Sequence, residues 1–109
     1  MKFPENWSTV DKLNRLQRMV LLHSIIYYDL NENVITDDYY NKLTRLLAKK
    51  VTLYKDKSVF KKTMYWYVFE DYTNGSTGFD LMHRLKRKDY NYLYILATHV
   101  IQRYKENNQ

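Results

Sequence analysis

"HSIIYYDLNENVITDDYYNKL", residues 23–43, decides how the chain is read. The apolar positions leading into it, Leu13, Leu16, Val20, His23 and Tyr27, recur at spacings of three and four. Met19, Leu22 and Ile26 widen the stripe. That period predicts an amphipathic helix over about residues 9–30. Ser8 with Asp11 resembles a capping box at its start, with Asp in place of the usual Glu. Asn31-Glu32-Asn33 breaks the helix. Thr36 then suits an N-cap, and Asp37-Asp38 puts negative charge where the helix dipole favours it. Tyr40, Leu43, Leu46 and Leu47 carry a second stripe to about Lys50. So short a connection makes the two helices antiparallel neighbours. Tyr27-Tyr28 and Tyr39-Tyr40 flank the loop. They either line a ligand cleft or pack the helix pair together, with Asp37 as a cap. A cleft leaves the ring faces near the loop open, whereas packing buries them.

The rest of the chain is less regular. Residues 51–57, "VTLYKDK", read as a connector. "SVFKKTMYWYVFEDYTNG", starting at Ser58, is ambiguous. Its Val, Phe, Tyr and Trp favour strand, and Met64, Trp66 and Val68 alternate with Tyr65, Tyr67 and Phe69. A helix over about 58–73 is also readable, with Ser58 as cap, Phe60, Met64 and Tyr67 on one face, and Asn74-Gly75 as stop. The run is long for a strand and has no pairing partner in the sequence, so helix is the expectation. Gly75 suits a helix C-cap, and Ser76 or Thr77 can cap a short helix with Phe79, Leu81, Met82 and Leu85 on its apolar side. Asp89 then caps a last helix carrying Leu93, Leu96, Val100 and Tyr104. The predicted fold is all-α: one domain over 1–109, a compact bundle of about five helices. It comprises an antiparallel αα-hairpin (8–50) and C-terminal helices (58–106).

Composition bounds the function. The chain has 109 residues, enough for a core without a disulfide or metal staple. It has no cysteine, which removes disulfides and thiolate zinc sites. No apolar run approaches the ~18 residues of a membrane span. The N-terminus lacks a signal-peptide core, so a cytoplasmic location and no membrane partner are expected. Twelve tyrosines against two glycines and one proline mean few helix breakers and more phenol hydroxyls than a core of this size can satisfy. Some tyrosines should therefore line a groove or an interface.

The net charge is +6, and the basic residues cluster. Lys49, Lys50, Lys55, Lys57, Lys61 and Lys62 form one group, and Arg84, Lys86, Arg87 and Lys88 with His83 form another. An anionic partner follows: nucleic acid, a nucleotide or an acidic protein face. The alternative is a solvated surface. "KDKSVFKKTMYWYVF" could stack bases beside positive charge, although on a helix its aromatics would run all the way round.

Catalytic signals are absent. There is no HExxH, GxSxG or P-loop, and no histidine pair at i, i+4. No metal site is expected. "STGF" at 76–79 could offer amide hydrogens to an anion, but a plain helix cap explains it. Of Asp37, Asp38, Glu70, Asp71, Asp80 and Asp89, four are accounted for as caps or first-turn charges. Nothing assembles into an acid–base constellation, and no enzyme is expected.

"LHSIIYYDLNENVITDDYYNKLTRLL" resembles the N-terminal helical-hairpin subdomain of NAD-dependent bacterial DNA ligases. That pattern is a helix ending in H-x-x-x-Y-Y/H, a loop D-x-P-x-I-x-D, then A-E-Y-D-x-L. His23, Tyr27, Tyr28, Ile35, Asp37, Tyr40 and Leu43 fall on matching positions across a loop of equal length. The likeness covers about residues 13–48, under half the chain. It implies a site for nicotinamide mononucleotide (NMN), the half of NAD that this subdomain holds. Tyr27 and Tyr28 would flank the ring; Asp37, Tyr40 and Asn41 would contact the amide, ribose and phosphate region. Three positions depart from the pattern. Asn41 replaces the last aspartate, Asn33 the loop proline, and Asn31 the aspartate before it. No K-x-D-G follows, so the lysine that accepts the adenylyl group is missing. The remainder, "YWYVFEDYTNGSTGFDLMHRLKRKDYNYLYILATHVI", resembles small phage and prophage proteins joining such a hairpin to a "GSTGFDL" tail.

That second likeness implies a non-enzymatic accessory binding protein. It would inhibit or modulate a host enzyme or defence system, for example a CRISPR nuclease, through a Tyr-rich, basic surface. Its partner would be an acidic protein face or enzyme-bound nucleic acid, because a mimic of DNA would itself be acidic. Two alternatives stand beside it. One is a nicotinamide-nucleotide (NMN or NAD) module using Tyr27, Tyr28, Asp37, Tyr40 and Asn41. The other is a DNA- or RNA-binding regulator using Lys49, Lys50, Lys57, Lys61, Lys62, Arg84, Lys86, Arg87 and Lys88.

Overall fold

A computed structural model describes residues 3–73 and 80–108. The expectations placed on Gly75, Ser76, Thr77 and Phe79 lie outside the described residues. Within them the chain is all-α, with four α-helices and no strand: α1 (Thr9–Ser24), α2 (Asp37–Tyr54), α3 (Trp66–Phe69) and α4 (Arg87–Asn107).

α1 starts where the sequence predicts. Ser8 Oγ accepts from the Asp11 amide (3.1 Å), and Asp11 Oδ2 accepts from the Ser8 amide (3.0 Å), so two helix-end donors are satisfied reciprocally. Leu13, Leu16, Val20 and Leu21 are buried along it. After Ser24 the helix widens into a π turn, Ile25–Asp29, in which the Leu30 amide reaches Ile25 O at 3.0 Å. Residues 20–26 are all buried, and exposure begins at Tyr27, inside this turn. Asn31 follows at φ 52, a left-handed conformation that asparagine tolerates well.

Thr36 caps α2 by accepting from the Tyr39 amide (3.1 Å), so Asp37 is a first-turn acid and not the cap. α2 buries Leu43, Leu47, Ala48 and Val51. It runs to Tyr54, through residues expected to be a connector, because Val51 is an apolar position in phase with Leu47 and has a place in the core.

The expected helix over 58–73 does not form as one element. Phe60–Lys62 is a single 3₁₀ turn, Thr63 is extended (φ −78, ψ 156), and α3 is one turn long. The cause lies in α1. Asn14 Oδ1 accepts the Met64 amide at 2.7 Å, and Gln17 Oε1 accepts the Tyr65 amide at 3.1 Å. Gln17 Nε2 also donates to Thr63 Oγ1 (3.0 Å). These side chains replace the carbonyls that a continuous helix would have supplied. Freed from helical period, Phe60, Tyr65, Val68, Phe69 and Tyr72 all reach the core, while Met64 stays 58% exposed.

Leu81–Arg84 forms a 3₁₀ turn before α4. Asp89 does not cap α4: the N-cap is Lys86, whose amide donates to the Tyr67 hydroxyl (3.1 Å). That hydroxyl in turn donates to Asp89 Oδ2 (2.5 Å), so Tyr67 satisfies both the amide and the acid. Leu93 and Ala97 face inward from α4, and Leu96 and Val100 are half-buried. α1 contacts both α2 and α4, and the π turn also rests on α4. No helix of the described residues is long and apolar enough to cross a membrane.

Candidate functional site

The π turn, the following loop and the first turn of α2 enclose a cleft of about 260 Å³. Tyr27, Tyr28, Asp37, Tyr40 and Asn41, the residues predicted to hold a nucleotide, all line it. His23, Ile26, Glu32, Asn33, Val34 and Ile35 complete the lining. The volume lies just under the ~300–1,000 Å³ common for drug-sized ligands. It suits a ring and a sugar better than a whole dinucleotide.

Each wall has a local cause. Tyr27 and Tyr28 are neighbours on the π turn, 47% and 38% exposed. Their rings meet edge to face with centroids 4.9 Å apart. Both side chains are therefore partly exposed beside the loop and are not buried in the core. Tyr40 divides its role. It is half-buried, and its hydroxyl lies 2.7 Å from Ser24 Oγ. Ser24 has one proton, already given to Val20 O at 2.7 Å. Tyr40 is therefore the donor, and what it can offer a ligand is its lone pairs. Burial raises its pKa, so it stays protonated and neutral.

His23 forms part of the wall and is 6% exposed. Burial, then Arg15, lowers its pKa to about 4, so the ring is neutral at pH 7. Its Nδ1 is shut from solvent and has no hydrogen-bond partner among the described residues. An unpaired buried acceptor is better tolerated than an unpaired N–H, which places the proton on Nε2. The cleft thus combines an apolar floor (Ile26, Val34, Ile35), tyrosine rings, a neutral imidazole and two acids, Glu32 and Asp37. This chemistry is of the kind that suits a flat ring bearing hydrogen-bonding groups. Among the described residues, no lysine or arginine lines it. Among the described residues, no group of three or more His, Asp or Glu could hold a metal.

The basic residues are placed differently. Lys57 Nζ sits 5.4 Å from the Tyr54 ring centroid, Lys61 Nζ 5.7 Å from Trp66, and Lys86 Nζ 5.0 Å from Tyr67. Trp66 and Tyr67 meet edge to face at 6.3 Å, so the two basic clusters converge on one aromatic pair. Arg84 is committed to structure: its Nη1 donates to Asp71 Oδ1 (2.6 Å) and Val68 O (3.3 Å). Lys49, Lys50, Lys62, Arg87 and Lys88 are on the surface or half-buried, on α2, the 3₁₀ turn and α4.

Sequence reasoning missed the link between the cleft and α4. Tyr90 donates to Asp29 Oδ2 (2.6 Å), and Lys105 Nζ donates to Glu32 Oε1 (2.8 Å). The partners lie 61 and 73 residues apart, and no local pattern announces either pair. No protein-family model, curated protein or solved structure matches this chain.

Proposed function

We propose that this is a non-enzymatic binding protein whose cleft takes the nicotinamide mononucleotide half of a nicotinamide nucleotide. In this reading α1 and α2 form an antiparallel hairpin with the cleft at its closed end. One observation carries the proposal: the five residues that the ligase likeness implies all line a single open cleft. Tyr27 and Tyr28 would flank the ring. Asp37, Asn41 and the Tyr40 oxygen would take the amide and ribose hydrogens. A binding role fits the absence of K-x-D-G from the sequence. Calorimetric titration with nicotinamide mononucleotide and NAD tests it. Saturable heat in the wild type, lost in a Tyr27→Ala, Asp37→Ala double variant, is the expected result. No heat at millimolar ligand overturns it.

A second reading is the phage-type accessory role, inhibition of a host or defence enzyme. It draws on the outer face of α4, where Tyr92 (55%) and Ile95 (58%) are exposed one turn apart. Co-purification from host lysate should recover one specific protein with the wild type and lose it with Tyr92→Ser, Ile95→Ser. Equal recovery by both would remove this face from the reading. A nucleic-acid role draws on the meeting of Lys61 and Lys86 at Trp66–Tyr67. It requires binding that weakens steeply with salt, and a shallower slope in Lys61→Ala, Lys86→Ala.

A further inference from the structure

A nicotinamide mononucleotide carries a phosphate, yet among the described residues the cleft lining holds two acids and neither lysine nor arginine. The phosphate therefore needs a cation from outside the lining. Of the two ion pairs among the described residues, one touches the cleft: Lys105 Nζ is 2.8 Å from Glu32 Oε1. Lys105 lies in the last turn of α4, far along the chain from the ligase-like segment. Its side chain is 58% exposed and that of Glu32 is 35% exposed. A pair so open to water is weak and easily exchanged. A phosphate dianion is a stronger partner for an ammonium than one exposed carboxylate. Tyr90, near the start of α4, donates to Asp29 at 2.6 Å and ties the π turn to the same helix that carries Lys105.

We propose that Lys105 is the phosphate-binding residue of the cleft, exchanging Glu32 for the nucleotide's phosphate. This rests on the reading of the cleft as a nicotinamide-nucleotide site, and it assigns the phosphate end to a helix outside the likeness.

The test is calorimetry with two probes, nicotinamide mononucleotide and nicotinamide riboside, which differ by the phosphate alone. The wild type should bind the mononucleotide more tightly than the riboside. Lys105→Ala should weaken mononucleotide binding about ten-fold and leave the riboside unchanged. Lys105→Arg should keep most of the mononucleotide affinity, and matching thermal unfolding of all three proteins will show that the fold is intact. Equal affinity of the wild type for both probes overturns the assignment while leaving the cleft reading standing. So does equal weakening of both probes, or of neither, in Lys105→Ala. Binding of neither probe by the wild type overturns both.

Discussion

Two stretches of this chain carry clustered aromatic residues, and the fold uses them in opposite ways. Around the loop, Tyr27 and Tyr28 stand open at a cleft. In the stretch 60–72, Phe60, Tyr65, Phe69 and Tyr72 are buried, and Tyr67 is occupied by Lys86 and Asp89. Composition does not separate the two. What separates them is how the backbone beneath is supported. The first stretch keeps its helical hydrogen bonds and widens by one residue at the π turn. The second surrenders them to Asn14 and Gln17, which lets successive rings turn inward.

The contrast can be broken most forcefully at the rings themselves. Phe69→Ala should cost about 3–5 kcal/mol in urea unfolding, because a buried ring leaves a cavity. Tyr27→Ala should cost under about 0.5 kcal/mol, as an exposed residue does. A comparable loss at both positions would erase the distinction. His23 gives the next largest effect. Its pKa is about 4 folded against 6.5 for the free side chain, so the unfolded chain binds more protons between these values. Stability should therefore be full above about pH 6.5 and fall by on the order of 3 kcal/mol as the pH drops to about 4, levelling off below. His23→Phe should flatten the dependence; an unaltered acid limb would assign it elsewhere. Gln17→Leu sharpens the comparison from the backbone side. It leaves the buried Tyr65 amide unpaired, for a cost of about 1–3 kcal/mol in the same unfolding measurement. A neutral result would mean that Gln17 does not hold the second stretch in place.

The parts of the fold legible in the sequence are those written in local spacing. The capping box at Ser8, the Thr36 cap and the apolar stripes of α1 and α2 depend on neighbours within a turn or two. Spacing alone places Tyr27 on the apolar stripe of α1, whereas in the fold it is exposed at the cleft. Where the expectation failed, the deciding partner is remote. Asn14 and Gln17 act across 50 and 48 residues on Met64 and Tyr65. Asp89 is a good cap by residue type, but the Tyr67 hydroxyl reaches the α4 end first. Lys105 meets Glu32 only because α4 packs on the π turn.

The π turn at Ile25–Asp29 has a consequence for how this cleft could be lost or gained. Each residue of an α-helix turns the chain by about 100°. Deleting Ile26 would restore regular winding and move Tyr27 and Tyr28 back one place, turning each by roughly that angle about the helix axis. Such a deletion would remove one lining residue and reposition the two tyrosines against the walls formed by the loop and α2. The shape of the cleft therefore depends on the winding at this turn as well as on the residues that line it.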